Sequence, residues 1–346
     1  MTARPPLHRK ADTRALWRSV FGDSEAFMDI YFGLKYTDWC NHTLYEGERL
    51  AAAAQMLPYR LRRDGFLLPA GYVSGLCTRD DCRNRGYARH ILHEALRTLH
   101  ARGGTVACLL PADDGLRQLY ARPAFGGFET VSYRTQQRLC SEAQPSPSLQ
   151  LAEEAEEGAD FYPFYRSATA TVRRILLPSA RDFSAFVQTV RVEGGKILTL
   201  RRNGRLEALC FTARPQEEVL PVLSLSATTP AVRTAVLSQL AAAFPGKAIA
   251  GLRPCTADEA AAEAYLMARI VHVGRFLGAV AVARPHLRCT LRVEGDSVIP
   301  ENNATYLIAG GSVQQTDTAA DATFTPGLLA RRFLADQPLE ARMLLD

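Results

Sequence analysis

The chain has 346 residues, 47% of them hydrophobic and 22% charged, which predicts a folded protein of about two or three domains. No apolar run approaches the ~20 residues of a membrane span, and the basic stretch Met1–Lys10 lacks the apolar core of a secretory signal. The net charge of +5 lies in the first part, where residues 1–145 hold 20 Lys/Arg against 15 Asp/Glu and the rest 21 against 21; this is too mild for a nucleic-acid binder but suits a polyanionic small molecule.

Residues 13–36 read as helical, broken and recapped at Gly22-Asp23-Ser24. Thr43–Ala51 reads as a hairpin turning at Glu46-Gly47-Glu48, and the stretches 51–60 and 65–68 carry strands on. Gly71–Thr78 is a strand by its aromatic, β-branched and small apolar residues. A charged turn follows, and from Arg83 a helix opens that runs to about His100, with Ile91, Leu92, Ala95, Leu96 and Leu99 at helical spacing. Gly104–Pro111 is a buried strand by its unbroken apolar run. Asp113-Asp114 caps a short helix, 115–122, and Phe125–Tyr133 returns as a strand.

The polar, proline-bearing stretch Ser141–Pro147 reads as a linker. The acidic run Glu153, Glu154, Glu156 and Glu157 reads as a solvated face. Beyond it the residues predict a helix over Phe161–Leu176, a hairpin of 196–201 with 205–212 around Arg202-Asn203-Gly204, and a helix over Ala231–Phe244. A strand at Ala248–Leu252 and a helix at Ala257–Tyr265 follow. The stretch 288–308 alternates as two strands around a turn, and a helix begins in Thr323–Leu334.

The turn at Arg83–Ala88 carries the chemistry. The first amides of a helix lack partners within it, and the helix dipole is positive there. Gly86 has no Cβ and lets a phosphate approach the backbone, Ala88 keeps the approach open, and Arg83 and Arg85 add charged, forked donors. A pyrophosphate is the natural ligand of such a site. The spacing is neither Gly-x-Gly-x-x-Gly nor Gly-x-x-x-x-Gly-Lys-Ser/Thr. A solvated basic helix start is the plainer alternative.

The pattern Arg83-x-x-Gly86-x-Ala88 after a strand resembles the coenzyme A loop of GNAT acyltransferases, Gln/Arg-x-x-Gly-x-Gly/Ala. The order of two helices, hairpin, strand, basic loop and helix is that of the family as well. Leu119-Tyr120 followed by Ala124-Phe125 is similar to its Leu-Tyr-x-x-x-Gly-Phe, with alanine replacing the glycine, and Asp80 stands where most members have proline. The C-terminal pattern Asp296…Pro300-x-Asn302…Tyr306, preceded by Met267–Val273, resembles the sterol-carrier-protein-like domain of Eis-type acetyltransferases.

The resemblance implies an α/β (α+β) protein of three parts. These are a GNAT domain with a mixed sheet flanked by helices at 1–140, a degenerate GNAT-like domain at 148–284, and a small sterol-carrier-like α/β domain at 285–346. It implies an N-acetyltransferase using acetyl-CoA as cosubstrate, with no metal. The acceptors would be primary amines of polyamine-like or aminoglycoside-like molecules or of lysine side chains; family members assemble into higher oligomers, which leaves a homo-oligomer open for this chain, whose sequence does not fix the state.

Arg83, Asn84, Arg85, Gly86, Tyr87 and Ala88 would hold the pyrophosphate, and Leu76, Cys77 and Thr78 the pantetheine arm and thioester. Tyr120 would be the general acid, because a phenol near ~10 can protonate a departing thiolate. The α-carboxylate of Asp346, at the end of an apolar tail, would receive the amine proton. Trp39, in a polar loop, is a candidate wall of the amine pocket.

The eight cysteines form no Cys-x-x-Cys pair, which argues for reduced thiols in a cytoplasm and against zinc or a disulfide scaffold. Cys77 has no histidine–acid partner nearby in sequence and reads as structural rather than nucleophilic. His93 and His100 share a helix face without metal-ligand partners. The rival reading is a non-catalytic protein that binds acyl-CoA or an apolar ligand on the same scaffold.

Overall fold

The computed structural model describes residues 6–139 and 150–344; the linker 141–147 and Asp346 lie outside the described residues. In chain order, α1 is Pro6–Phe21 and α2 is Glu25–Ile30, followed by a π-helical turn, Tyr31–Lys35. β1 (Asn41–Glu46), β2 (Arg49–Arg63) and β3 (Phe66–Thr78) lead to α3 (Tyr87–Ala101), β4 (Val106–Leu109), α4 (Asp114–Ala121), β5 (Glu129–Thr130) and β6 (Tyr133–Arg138). Next come β7 (Leu151–Glu153), α5 (Phe161–Ala168), β8 (Arg174–Leu177), α6 (Ala180–Val192), β9 (Lys196–Arg202), β10 (Arg205–Thr212) and β11 (Val219–Ala227). Then follow α7 (Pro230–Ala243), β12 (Ala248–Cys255), β13 (Glu263–Ala264), β14 (Met267–Ile270) and α8 (Val273–Ala283). The chain closes with β15 (Cys289–Val293), β16 (Ala304–Ala309), β17 (Ser312–Gln315), β18 (Ala322–Phe324), α9 (Pro326–Leu334) and β19 (Glu340–Ala341).

The described residues form three mixed sheets. The first has the order β19-β8-β2-β3-β4-β14-β5 with β1 also on β2; the second is β13-β6-β12-β11-β10-β9-β7; the third is β17-β16-β15-β18. The first two repeat one motif: an antiparallel pair (β2–β3, β10–β11), a crossover helix (α3, α7), and a strand parallel to the second of the pair (β4, β12). They also exchange strands, because β6 leaves the first segment to pair with β12 while β14 comes back to lie between β4 and β5.

Alternation along the strands decides what lies on each face. In the first sheet Met56, Val73, Ala107, Leu109 and Met267 join Leu92, Ala95 and Leu96 of α3. Their neighbours Leu57, Tyr59, Tyr72, Cys108 and Ala268 form the main core with Trp17, Met28, Tyr31, Phe276 and Phe333. No helix among the described residues is long and apolar enough to cross a membrane.

Several expectations are corrected. The helix expected over Phe161–Leu176 ends at Ala168, and Arg174–Leu177 is a strand paired with Arg60–Arg63. Three consecutive apolar residues, Ile175–Leu177, are as good a strand as a helix end, and the open edge of β2 decides. The segment 257–265 is not helical: Ala261 takes φ 57°, and Glu259 is held by the Thr256 amide and the Arg253 guanidinium. The strand expected over Phe125–Tyr133 breaks at Gly126 and Gly127 (φ 95° and 60°), leaving only Glu129–Thr130 before the chain crosses to the second sheet. The last helix starts at Pro326 with Thr325 as its cap, because Ala322–Phe324 pairs with β15.

Candidate active site

The site lies where β3 outruns β4. The parallel pairing of the two ends at Val73 with Leu109, whereas β3 continues to Thr78. Among the described residues Ser74–Thr78 has β2 on one edge and no strand on the other. The register between β2 and β3 slips here, with Cys77 opposite Ala53 but Ser74 opposite Gln55. The one extra residue on β3 forms a bulge at Gly75, whose φ is +58°. A Cβ on Gly75 would lie 2.0 Å from the Trp17 ring, so only glycine fits. Bulge and missing partner together leave a row of backbone groups free to pair with an extended ligand.

The same region is braced from the main-core side. The Tyr31 hydroxyl donates to Ser74 Oγ at 2.8 Å, and Gln55 Nε2 donates to Asn41 Oδ1 at 2.8 Å. Tyr31 opens the π-helical turn, and both Tyr31 and Gln55 are wholly buried. Tyr31 and Tyr36, aromatics of the N-terminal helices that the sequence offers as core or as walls of an amine pocket, are both buried in the core, whereas nothing local in the sequence points to Asn41, Gln55 or Ser74. An isolated glycine inside a strand run was the available signal.

Past Thr78 the chain turns through Asp80–Cys82 and reaches the basic loop. Asn84 and Gly86 both take positive φ, 62° and 79°. Gly86 is the N-cap of α3 and no side chain caps the helix, so its first amides face outward unpaired by any cap. A Cβ on Gly86 would meet only the end of Arg89 at 3.5 Å, which marks the approach as open. Arg85 pairs with Glu46 at 2.8 Å, the Tyr87 hydroxyl donates to the same carboxylate at 3.1 Å, and Arg83 pairs with Asp80 at 2.8 Å. The Cys82 thiol, the Tyr87 hydroxyl and the Arg85 and Arg79 guanidiniums hold the Glu46 carboxyl below its ordinary range.

The crossover helix of the second sheet differs at this point. Thr229 caps α7 by accepting from the Val232 amide at 3.2 Å, and Pro230 at the first position has no N–H. The equivalent helix end is closed.

Tyr120 lies on α4, whose start is capped by Asp113 Oδ1 accepting from the Leu116 amide at 2.7 Å. Its ring belongs to the apolar cluster that contains Val73, Leu109, Leu92 and Phe128, with Leu76 and Leu116 packed against it. Its carbonyl accepts from the Phe128 amide at 2.9 Å, and the Phe128 ring stands edge-on at 6.4 Å. Burial, aided by the charge of Asp113, pushes its phenol up to about 12. The group is thus held protonated beside the open end of β3.

The structure therefore brings together Leu76, Cys77, Thr78, the loop Arg83–Ala88 and the helix bearing Tyr120. Cys77 is buried and its thiol is pushed up to about 12 by that burial, which suits a packed side chain. Trp39 stands apart from the loop: it is half exposed, and Arg102, just past the far end of α3, stacks on it at 4.9 Å. His93 Nε2 lies 2.9 Å from the Ala124 carbonyl, and the His100 ring lies 4.8 Å from that of His272.

Residues 9–123 match the Acetyltransferase (GNAT) domain. The chain carries a GNAT acetyltransferase domain, and its class is that of acetyltransferase enzymes. By fold, the whole chain is similar to a probable N-acyltransferase from Enterococcus faecalis, with TM-score 0.73, 15% identity, and 94% of this chain and 87% of that one covered. It is likewise similar to a GCN5-related N-acetyltransferase from Anabaena variabilis, with TM-score 0.73, 15% identity, and 93% and 86% covered. Eis1 from Mycobacterium abscessus aligns with TM-score 0.71, 15% identity, and 96% and 88% covered. Comparison with the sequences of curated proteins gave no match.

Proposed function

We propose that the protein transfers the acetyl group of acetyl-CoA directly to a primary amine. The observation that supports this most is the conjunction of an opened β3 edge, an uncapped α3 and a buried phenol packed in one cluster with Val73 of β3 and Leu92 of α3. The amides at the start of α3, with Arg83 and Arg85, bind the pyrophosphate; Asn84 and Gly86 supply the backbone turn. Leu76–Thr78 pairs with the pantetheine arm as a strand would, and a backbone amide there steadies the developing oxyanion.

The amine nitrogen attacks the thioester carbon, the C–S bond breaks, and the departing sulfur takes the proton of Tyr120. The amine's own proton goes to the α-carboxylate of Asp346. What supports this last role is the course of the tail: β19 runs parallel to β8, and Met343 is buried against Ile30, Phe161 and Phe186. Leu344 packs against the main core. As far as Leu344, the described tail is thus packed inward. Acceptors are polyamine-like or aminoglycoside-like amines or lysine side chains.

We read three modules, 1–140, 148–284 and 285–346, the first placing β6 in the second sheet, the second placing β8 and β14 in the first sheet, and the last sterol-carrier-like. The closed start of α7 supports assigning cofactor binding to the first alone.

An apolar cavity of about 220 Å³, lined by Phe186, Leu223, Leu252, Tyr265 and Met343 among others, favours a second reading as a ligand-binding protein. One experiment separates the two. Acetyl-CoA is mixed with a panel of polyamines, aminoglycosides and lysine peptides, and free thiol is followed. Thiol release matched by acetylated amine supports transfer. Thermal protection by acetyl-CoA without turnover of any amine supports the binding protein.

A further inference from the structure

Two of the residues that drew attention to the C-terminal segment, Asp296 and Asn302, lie in a buried clasp on the acetyltransferase module, with Pro300 exposed between them. Asp296 is the centre. Its Oδ1 accepts from the amides of Val298 and Ile299, at 3.1 and 2.9 Å, and its Oδ2 accepts from Asn302 Nδ2 at 2.9 Å. The same Oδ2 pairs at 2.6 Å with Arg269, whose side chain is almost wholly buried in β14. The Arg269 guanidinium also donates to the Gly126 carbonyl at 2.7 Å.

Gly126 begins the turn that ends in Phe128, and Phe128 is tied to Tyr120 by a backbone hydrogen bond and an edge-on ring. Val298 and Ile299 belong to the same apolar cluster as Tyr120. Two further contacts fix the clasp from outside. Arg97 of α3 donates to the Val298 carbonyl at 3.0 Å, and Gly327 of α9 packs so closely on Gly127 that a Cβ would lie 1.9 Å from its carbonyl oxygen.

A solvent-exposed turn with two left-handed glycines would have many states. This one is held by a charge-assisted bond from a buried guanidinium and by α9. We propose that Asp296 is a positioning residue for acetyl transfer: through Arg269 and the Gly126–Phe128 turn, it sets where the Tyr120 ring stands. The inference rests on the reading of Tyr120 as general acid, and it gives the C-terminal module a role in the first module's chemistry. A misplacement of about 1 Å at a reacting group costs roughly 10²-fold in rate.

The test is a double-mutant cycle against Tyr120→Phe. Asp296→Asn alone would strand a buried guanidinium and threaten folding. The pair Arg269→Met with Asp296→Asn removes both charges and keeps the Oδ1 that accepts from Val298 and Ile299. In the otherwise native chain this pair should lower kcat roughly 10²-fold with the acetyl-CoA KM within about twofold. In the Tyr120→Phe background it should lower kcat by less than about threefold, because the positioned group is gone. An equal loss in both backgrounds, or a folded pair variant with native turnover, overturns the proposal. Should the pair variant not fold, Phe128→Leu, the last link, enters the same cycle with the same readings. Full turnover in Tyr120→Phe alone removes the general-acid reading and this inference with it, a result distinct from failure of the cycle.

Discussion

Gly86 and Thr229 stand at the starts of equivalent crossover helices, and only Thr229 caps its helix with a side chain. Four amides at a helix start need partners. At α7 a hydroxyl and a proline remove part of that demand; at α3 it is left for a ligand. A calorimetric titration with acetyl-CoA should therefore saturate at one equivalent per chain. Two equivalents would show that the second module also binds.

Tyr120→Phe keeps the ring and removes the proton. Turnover should fall by about 10²–10⁴-fold, while the dissociation constant of acetyl-CoA stays within about twofold. A large loss of affinity instead would assign the tyrosine to packing.

The raised phenol fixes the sign of a pH effect. An exposed tyrosine ionises near ~10; Tyr120 is pushed up to about 12. Its active form is the protonated one, so at saturating amine kcat should lose no activity to this group between pH 8 and about 10.5. A falling limb centred near ~10 that vanishes in Tyr120→Phe would contradict the burial argument. In stability terms the folded chain holds this proton more tightly than the unfolded chain. The contribution is complete below ~10 and is lost as pH rises from there through about 12.

Removing Asp346 should lower kcat by about tenfold or more and leave the melting temperature nearly unchanged. Unchanged kinetics would take the C-terminal carboxylate out of the mechanism.

Gly75 and Gly33 give a matched pair for stability. Gly75→Ala forces a Cβ into the Trp17 ring at a left-handed φ, and it should cost more than about 2 kcal/mol in denaturant unfolding. Gly33→Ala, in the π-helical turn with nothing within 4 Å of the new Cβ, should stabilise by about 0.5–1 kcal/mol. Equal effects would show that the bulge is not tightly packed.

What was legible in the sequence was local. The basic loop, the capped start of α4 and the hairpin of β9 with β10 rest on residues within a few positions of one another. The α4 helix and the hairpin lie within two residues of the expected bounds, whereas α3 starts at Tyr87, four residues after the expected opening at Arg83, because Asn84 and Gly86 take positive φ. Pairing over long separations was not legible. Nothing in Arg174–Leu177 says that its partner is Arg60–Arg63, nor in Met267–Ile270 that it lies between β4 and β5. The alanine-rich segment 257–265 has helical propensity, but side-chain bonds of Glu259 outweigh it there. Helix α8 was overlooked, although Val273, Phe276, Leu277, Val280 and Ala281 stand at helical spacing behind His272. At the site, Tyr120 and Gly86 were visible by pattern, whereas the Gly75 bulge and the Tyr31–Ser74 brace depend on Trp17 and α2 folding back over β3.

The central claim is that a diphosphate is held at Arg83–Ala88, and binding of acetyl-CoA compared with S-acetylpantetheine, which lacks the pyrophosphate, tests it most directly. Acetyl-CoA should bind at least about 100-fold more tightly. Gly86→Val, once a native unfolding transition shows that the strain of a β-branched residue at φ +79° is tolerated, should bring acetyl-CoA down to the level of the shorter ligand. Equal affinities for the two ligands, or a Gly86→Val variant that binds acetyl-CoA as the native chain does, would contradict the account.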